Sequence, residues 1–160
     1  MKNFRFDYTQ PLSSSTRRAE FKRNRDLVCK LLAEHKVPAV LMRYSGYSDS
    51  GCVDAVWVLN NSYGDDIDDA AASEGLDESK ALTTKLRTTP LPSELAAATG
   101  YTTNQNVLDW VGDMLMLVTP DGFELDDGGD GYVLLNVKTK AVQTRNRTIT
   151  INTEYDSIED

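Results

Sequence analysis

Two stretches decide the fold: Ala39-Val40-Leu41-Met42-Arg43-Tyr44-Ser45-Gly46-Tyr47 and, after Ser48-Asp49-Ser50-Gly51, the run Cys52-Val53-Asp54-Ala55-Val56-Trp57-Val58-Leu59. Side chains alternate across a strand, so Val40, Met42 and Tyr44 share one face. Val53, Ala55, Trp57 and Leu59 repeat that period on the far side of a turn-forming segment, which predicts an antiparallel hairpin.

The same period returns near the C-terminus. Val133, Leu135 and Val137 alternate with Leu134 and Asn136, and Val142, Thr144, Ile149 and Ile151 follow a Thr139-Lys140 turn. This predicts a second hairpin, and the parity change between Thr144 and Ile149 predicts a bulge near Arg145-Asn146-Arg147. Helical spacing fills the rest. Ser13-Ser14-Ser15-Thr16 offers N-cap oxygens to a helix over residues 13–36 with Phe21, Leu27, Val28, Leu31 and Leu32 on its apolar side, ending near His35 and before Pro38. Leu82 and Leu86 mark a short helix stopped by Pro90-Leu91-Pro92, and Ser93 opens another turn through Leu95. Asn106 begins the most apolar helix, with Val107, Trp110, Val111, Met114, Leu115 and Val118, and Pro120-Asp121-Gly122 ends it. That helix must be core.

The order α-β-β-α-α-β-β predicts one α+β domain over residues 1–160, a four-stranded mostly antiparallel sheet covered on one face by helices. Residues 1–12 read as an extended arm. Residues 60–77, polar and aperiodic, read as a long exposed acidic loop. With 160 residues and 40% apolar content the chain supports one real core. It has no apolar run near the roughly 20 residues that cross a bilayer, and Met1-Lys2-Asn3-Phe4-Arg5 lacks the apolar segment of a signal peptide. The expected location is the cytoplasm. Cys29 and Cys52 have neither metal-ligand nor CxxC spacing and read as reduced, structural thiols.

The net charge of −8 conceals two opposed halves. Residues 1–43 carry ten Lys and Arg against four Asp and Glu, a balance of +6; residues 44–160 carry seven against 21, a balance of −14. Acidic bodies repel nucleic acid and attract basic protein surfaces. Arg17, Arg18, Lys22, Arg23 and Arg25 on the first helix carry a secondary expectation of nucleic-acid binding, against a plain solvated helix face.

Two segments also resemble a known pattern. Tyr44-Ser45-Gly46-Tyr47-Ser48-Asp49-Ser50-Gly51-Cys52-Val53 resembles a Y-x-G-x-G-D-S-G-x-I signature, and Gly122-Phe123-Glu124-Leu125-Asp126-Asp127-Gly128-Gly129-Asp130-Gly131-Tyr132 resembles G-W-E-x-N-x-G-x-x-G-x-F. Together, over roughly residues 36 to 155, they are similar to a family of small acidic proteins of bacterial plasmids, phages and other mobile elements. Ser48, Phe123 and Asp126 depart from the favoured Gly, Trp and Asn. The family has no assigned activity, so the resemblance implies a genomic setting in a bacterial host and no catalytic residues.

Three constellations bear on chemistry. Ser50 on a tight turn could act as a nucleophile beside Asp49, but the single histidine, His35, reads as a helix C-terminal residue that complements the dipole. Asp126-Asp127-Gly128-Gly129-Asp130-Gly131 fails the calcium-loop pattern, since Gly128 and Val137 fall on ligand positions, and reads as glycines allowing positive φ ahead of a hairpin. Asp65-Asp66-Ile67-Asp68-Asp69, with Tyr63, Glu74 and Asp77, is the candidate partner-binding surface, where carboxylates grip a basic groove or imitate a phosphate ladder and Ile67 or Tyr63 anchors the contact. No phosphate loop, dinucleotide fingerprint, HExxH or Cys/His cluster occurs, so no cofactor and no metal are expected.

The sequence therefore points to a non-enzymatic accessory protein that binds and inhibits a host or defence protein, of anti-CRISPR or antirestriction type. The alternative is a small metal-dependent hydrolase or nucleic-acid-processing enzyme using Asp49, Asp54 and Asp126.

Overall fold

A computed structural model describes residues 14–47, 50–63, 66–73, 76–100, 105–119, 129–148 and 153–158. Among them, helix α1 (Ser14–Glu34) leads into strands β1 (Ala39–Tyr47) and β2 (Ser50–Leu59), followed by helices α2 (Ile67–Ser73), α3 (Lys80–Thr88), α4 (Ser93–Thr99) and α5 (Val107–Met116), then strands β3 (Gly129–Asn136), β4 (Val142–Thr148) and β5 (Thr153–Ile158). The sheet has five strands in the order β2-β1-β3-β4-β5, every neighbouring pair antiparallel. The α+β class and both hairpins stand as the sequence predicts; the count of four strands does not. Strand β5 has few apolar side chains, Ile158 buried and Tyr155 exposed, so its alternation barely registers. Acidic side chains suit such an edge, because they discourage pairing with another chain.

One face of the sheet carries the main core. Val40, Met42, Tyr44, Val133 and Leu135 project from the strands onto Phe21, Val28 and Leu32 of α1 and onto α5, where Trp110, Val111, Met114 and Leu115 are fully buried. Full burial of each such side chain contributes roughly 1.5–3 kcal/mol, which is why α5 sits at the centre. Its start is fixed as the sequence predicts: the Asn106 side chain accepts a hydrogen bond from the Asp109 amide at 2.8 Å. At the other end of the fold α1 closes in a Schellman turn, with the Val37 amide donating to Leu32 O at 3.0 Å and Lys36 to Ala33 O at 2.9 Å.

The opposite face is not bare, which corrects the expectation of helices on one side only. A second, smaller cluster joins Ala39, Leu41, Leu59 and Leu134 to Ile67 and Ala70, with Trp57, Tyr63 and Tyr132 packed around it. Residues 60–77 therefore contain a helix. Ile67, Ala70 and Ala71 bury its inner side, and no 3.6-residue pattern longer than two turns announces it.

The register shift also falls elsewhere than predicted. Strand β4 pairs with β3 without interruption from Val142 to Thr148, so there is no bulge near Arg145-Asn146-Arg147. The irregularity lies in the first hairpin, where Arg43 faces Ala55 and Tyr44 faces Val53. Asp54 is the extra residue. The bulge divides the run that parity had put on one face: Val53 and Val56 pack on the main core, whereas Trp57 and Leu59 join the smaller cluster. Ile149 and Ile151 lie outside the described residues.

Candidate functional site

The acidic segment is built onto α2. Asp66 is its N-cap: Oδ1 accepts from the amides of Asp68 and Asp69, both at 3.1 Å, and the Asp66 carbonyl receives the Ala70 amide at 3.0 Å. Acids in the first turn, Asp68 and Asp69, complement the positive end of the helix. The inner side is apolar, with Ile67 only 5% exposed. Ile67 is thus a staple of the fold, a correction to its reading as an exposed anchor for a partner. Amphipathic folding explains it, because α2 has no other large apolar side chain to bury.

Asp68 is pinned by the last two strands, on the face of the sheet that α2 covers. Arg145 on β4 donates to its Oδ1 at 2.6 Å and the Tyr155 hydroxyl of β5 donates to the same oxygen at 3.2 Å. The Arg145 hydrogen bond, against a desolvation that opposes it and with help from Tyr155, holds the Asp68 carboxyl below its ordinary range. The same guanidinium stacks over the Tyr132 ring, 5.0 Å from its centroid. Arg145 and Tyr155 lie 77 and 87 residues away in sequence, so no local signal could have named them. Gln143 adds a third tie, its Oε1 accepting from the Ile67 amide at 3.2 Å.

The remaining candidates divide. Asp69 is exposed and forms no ion pair among the described residues. Asp77 accepts from Asn61 Nδ2 and, at 2.9 Å, from the Tyr63 hydroxyl, so Tyr63 and Asp77 brace the approach to α2. Tyr63 is half-buried and takes φ 55°, a left-handed conformation stabilised where its amide donates to Asn61 Oδ1 at 2.9 Å. Asp65 and Glu74 lie outside the described residues.

The basic cluster of α1 does not form one open cationic face. Arg17 and Arg25 are only 4% and 6% exposed, and Arg17 donates to the Thr119 carbonyl at 2.6 Å. Arg18 pairs with Asp156 of β5 and Arg23 with Glu20 one turn away. Lys22 is exposed. Arg17 and Arg18 tie α1 to the rest of the fold and Arg25 is buried, which weakens the secondary expectation of nucleic-acid binding there.

The two segments of the family-like pattern meet as neighbouring strands: Tyr44 pairs with Gly131, Ser45 with Asp130 and Gly46 with Gly129. Tyr44, fully buried, crosses Gly131 and donates to Asn146 Oδ1 at 3.0 Å on the strand beyond. A Cβ at residue 131 would stand 2.6 Å from Tyr44 Cζ and overlap the Arg145 carbonyl. Gly131 is thus required for close approach within an extended strand, and neither it nor Gly129 takes a positive φ, a correction to that reading for these two; Gly128 lies outside the described residues. The prominent tyrosine and glycine of this pattern are structural.

The catalytic alternatives find little geometry. His35 precedes β1, whereas Ser50 pairs with Tyr47 at its far end, about 26 Å along the strand from Ala39 at the usual rise per residue. Asp54 Oδ1 receives hydrogen bonds from Ser45 Oγ at 2.9 Å and Cys52 Sγ at 3.2 Å. Burial first, then the bond to Asp54, raises the Cys52 pKa and keeps it the thiol, a poor nucleophile. Burial likewise pushes Cys29 up to about 11. Asp49 and Asp126 lie outside the described residues, among which no group of three or more His, Cys, Asp or Glu side chains is placed to hold a metal. No described helix is long and apolar enough to cross a membrane. Comparison with protein-family models gives no match, and neither do comparisons with curated proteins and with solved structures.

Proposed function

We propose that the chain is a non-enzymatic accessory protein of a phage or other mobile element, acting in the bacterial cytoplasm by binding and inhibiting a host or defence protein with a basic surface. One observation carries the reading: Asp66, Asp68 and Asp69 are exposed on a helix whose inner side, Ile67, Ala70 and Ala71, is fixed to the sheet. Carboxylates on an anchored helix keep their mutual spacing. They can match a basic groove with less ordering on contact than the same residues on a solvated loop. Arg145 offsets the charge of Asp68, leaving the exposed Asp66 and Asp69 as the outward potential. Competition with nucleic acid for a CRISPR effector or restriction enzyme is the mode this charge favours, and the resemblance to mobile-element proteins supports the same setting.

The test separates charge from fold. Replacing Asp66, Asp68 and Asp69 together by Asn keeps an N-cap side chain at 66 and leaves Ile67 in place. Affinity purification from bacterial lysate at low and high salt should recover a basic partner with the parent chain at low salt and lose it with the triple variant. Recovery indifferent to both salt and substitution overturns the proposal.

A further inference from the structure

Apart from Asp66, Asp68 and Asp69 at α2, a second surface reverses the sign of the charge. A cleft of about 950 Å³ opens between the C-terminal turn of α1, the turn joining β3 to β4, and α3. Lys30, Lys36, Lys138 and Lys140, half of the eight lysines in a chain of net charge −8, line it against a single carboxylate, Asp26. Asp26 is already matched, since Lys140 Nζ donates to it at 2.8 Å. Three further lysines therefore line the cleft with no second lining carboxylate among the described residues. Beneath them the surface is apolar: Cys29, Val37 and Val137 are buried, and Leu82 and Pro38 are half-buried.

Two of these lysines occupy positions that backbone geometry reserves for other residues. Lys36, the C′ residue of the Schellman turn, has φ 61°, and Lys140, closing the β3–β4 turn, has φ 63°. Glycine or asparagine takes this left-handed region with less strain, and the fold alone would be served by either. Lysine adds a cation. Lys36 also complements the dipole of α1, but Lys138 and Lys140 belong to a different turn and have no such role.

We propose that this cleft binds an organic phosphate with an apolar or aromatic body. Its volume falls within the roughly 300–1,000 Å³ of small-molecule sites, and lysine ammoniums are effective phosphate partners as point charges. An inorganic anion leaves the apolar base wet. A neutral apolar molecule leaves the lysines unmet. Only a ligand carrying both features meets the whole surface.

Amide chemical-shift titration of the full chain tests this with AMP, octyl phosphate and inorganic phosphate as probes, the first two distinguishing a nucleotide from an acyl-chain phosphate. The expected result is saturable shifts at Lys36, Val37, Lys138 and Lys140 with one or both organic phosphates, at lower concentration than with inorganic phosphate. Lys36→Asn tolerates the left-handed backbone, so it should keep the spectrum of the folded chain while weakening binding about tenfold, the loss of one charge-assisted contact. Lys80→Gln, on α3 but outside the cleft, should bind as the parent does. Absence of shifts at these residues with both organic probes overturns the proposal, and so does equal binding of inorganic phosphate or undiminished binding by Lys36→Asn.

Discussion

The two faces of the sheet are held by different physics. On the α5 side, Trp110, Tyr44, Met42 and Phe21 are sealed from solvent in one continuous apolar core. On the α2 side a small cluster around Leu41, Leu134 and Ile67 gives way to the Asp68–Arg145 ion pair and to hydrogen bonds from the Tyr155 hydroxyl to Asp68 and from the Ile67 amide to Gln143. Stability therefore resides on the α5 face and adaptability on the α2 face. Apolar burial is cooperative and insensitive to salt, whereas a half-exposed ion pair contributes little and answers to pH, ionic strength and any competing charge. A partner can perturb the second face without unfolding the first.

The largest effects belong to the α5 side. Trp110 is fully buried and its Nε1 donates to Thr99 Oγ1 at 3.2 Å, so Trp110→Ala leaves a cavity and removes one hydrogen bond from a hydroxyl that keeps its bond to Leu95 O at 2.7 Å. It should cost about 3–5 kcal/mol, read as a lower urea midpoint with unchanged slope. Gly131→Ala should follow at about 1–3 kcal/mol, because the added methyl overlaps both Tyr44 and the Arg145 carbonyl. Pairing it with Tyr44→Leu sharpens the point: a double-mutant cycle should show strong coupling, and simple additivity would remove the ring as the source of the constraint.

On the α2 side, Ile67→Ala should cost about 2 kcal/mol, the low end for such a truncation at a peripheral cluster. Its signature is locality. Hydrogen exchange should accelerate in α2 while amides of β1, β3 and α5 keep their protection. If α5 loosens equally, the two faces form one cooperative unit and the contrast between them fails.

How much of this was legible in sequence follows the same division. The α5 helix could be read from Asn106 and the spacing of Val107, Trp110, Val111 and Met114, since burial leaves a strict period. The α2 helix could not, because seven residues with one large apolar side chain carry too short a pattern. Its signals were chemical: an N-cap Asp66, two first-turn acids, and Ala70-Ala71, a pair of strong helix formers. Composition located the acidic segment but hid its internal commitments. That Asp68 meets Arg145 and Tyr155 depends on the pairing of β4 with β3 and β5, which no local stretch encodes. The bulge at Asp54 eluded the alternation rule for a related reason, since one inserted residue redirects Val53 without altering the apolar content of the strand.

The smallest predicted effect is the most direct probe of the acids on α2. Arg145 holds the Asp68 pKa below that of an unfolded-chain carboxylate, so the pair's contribution is fully present above the ordinary value of about 3.9 and is lost as pH falls through the lowered folded-state value. Side-chain carboxyl titration by NMR should place the Asp68 midpoint below that ordinary value, and Arg145→Gln should bring it back up. Because Arg145 lies over Tyr132 as well, Arg145→Lys should restore only part of the shift: a point charge keeps the attraction but not the planar guanidinium stack. The basic partner proposed for α2 would compete with Arg145 for Asp68. In its presence Arg145→Gln should therefore bind more tightly than the parent chain, since Asp68 is then already available. Weaker binding would show instead that Arg145 orients the carboxylate for its partner, and that the ion pair belongs to the recognition surface.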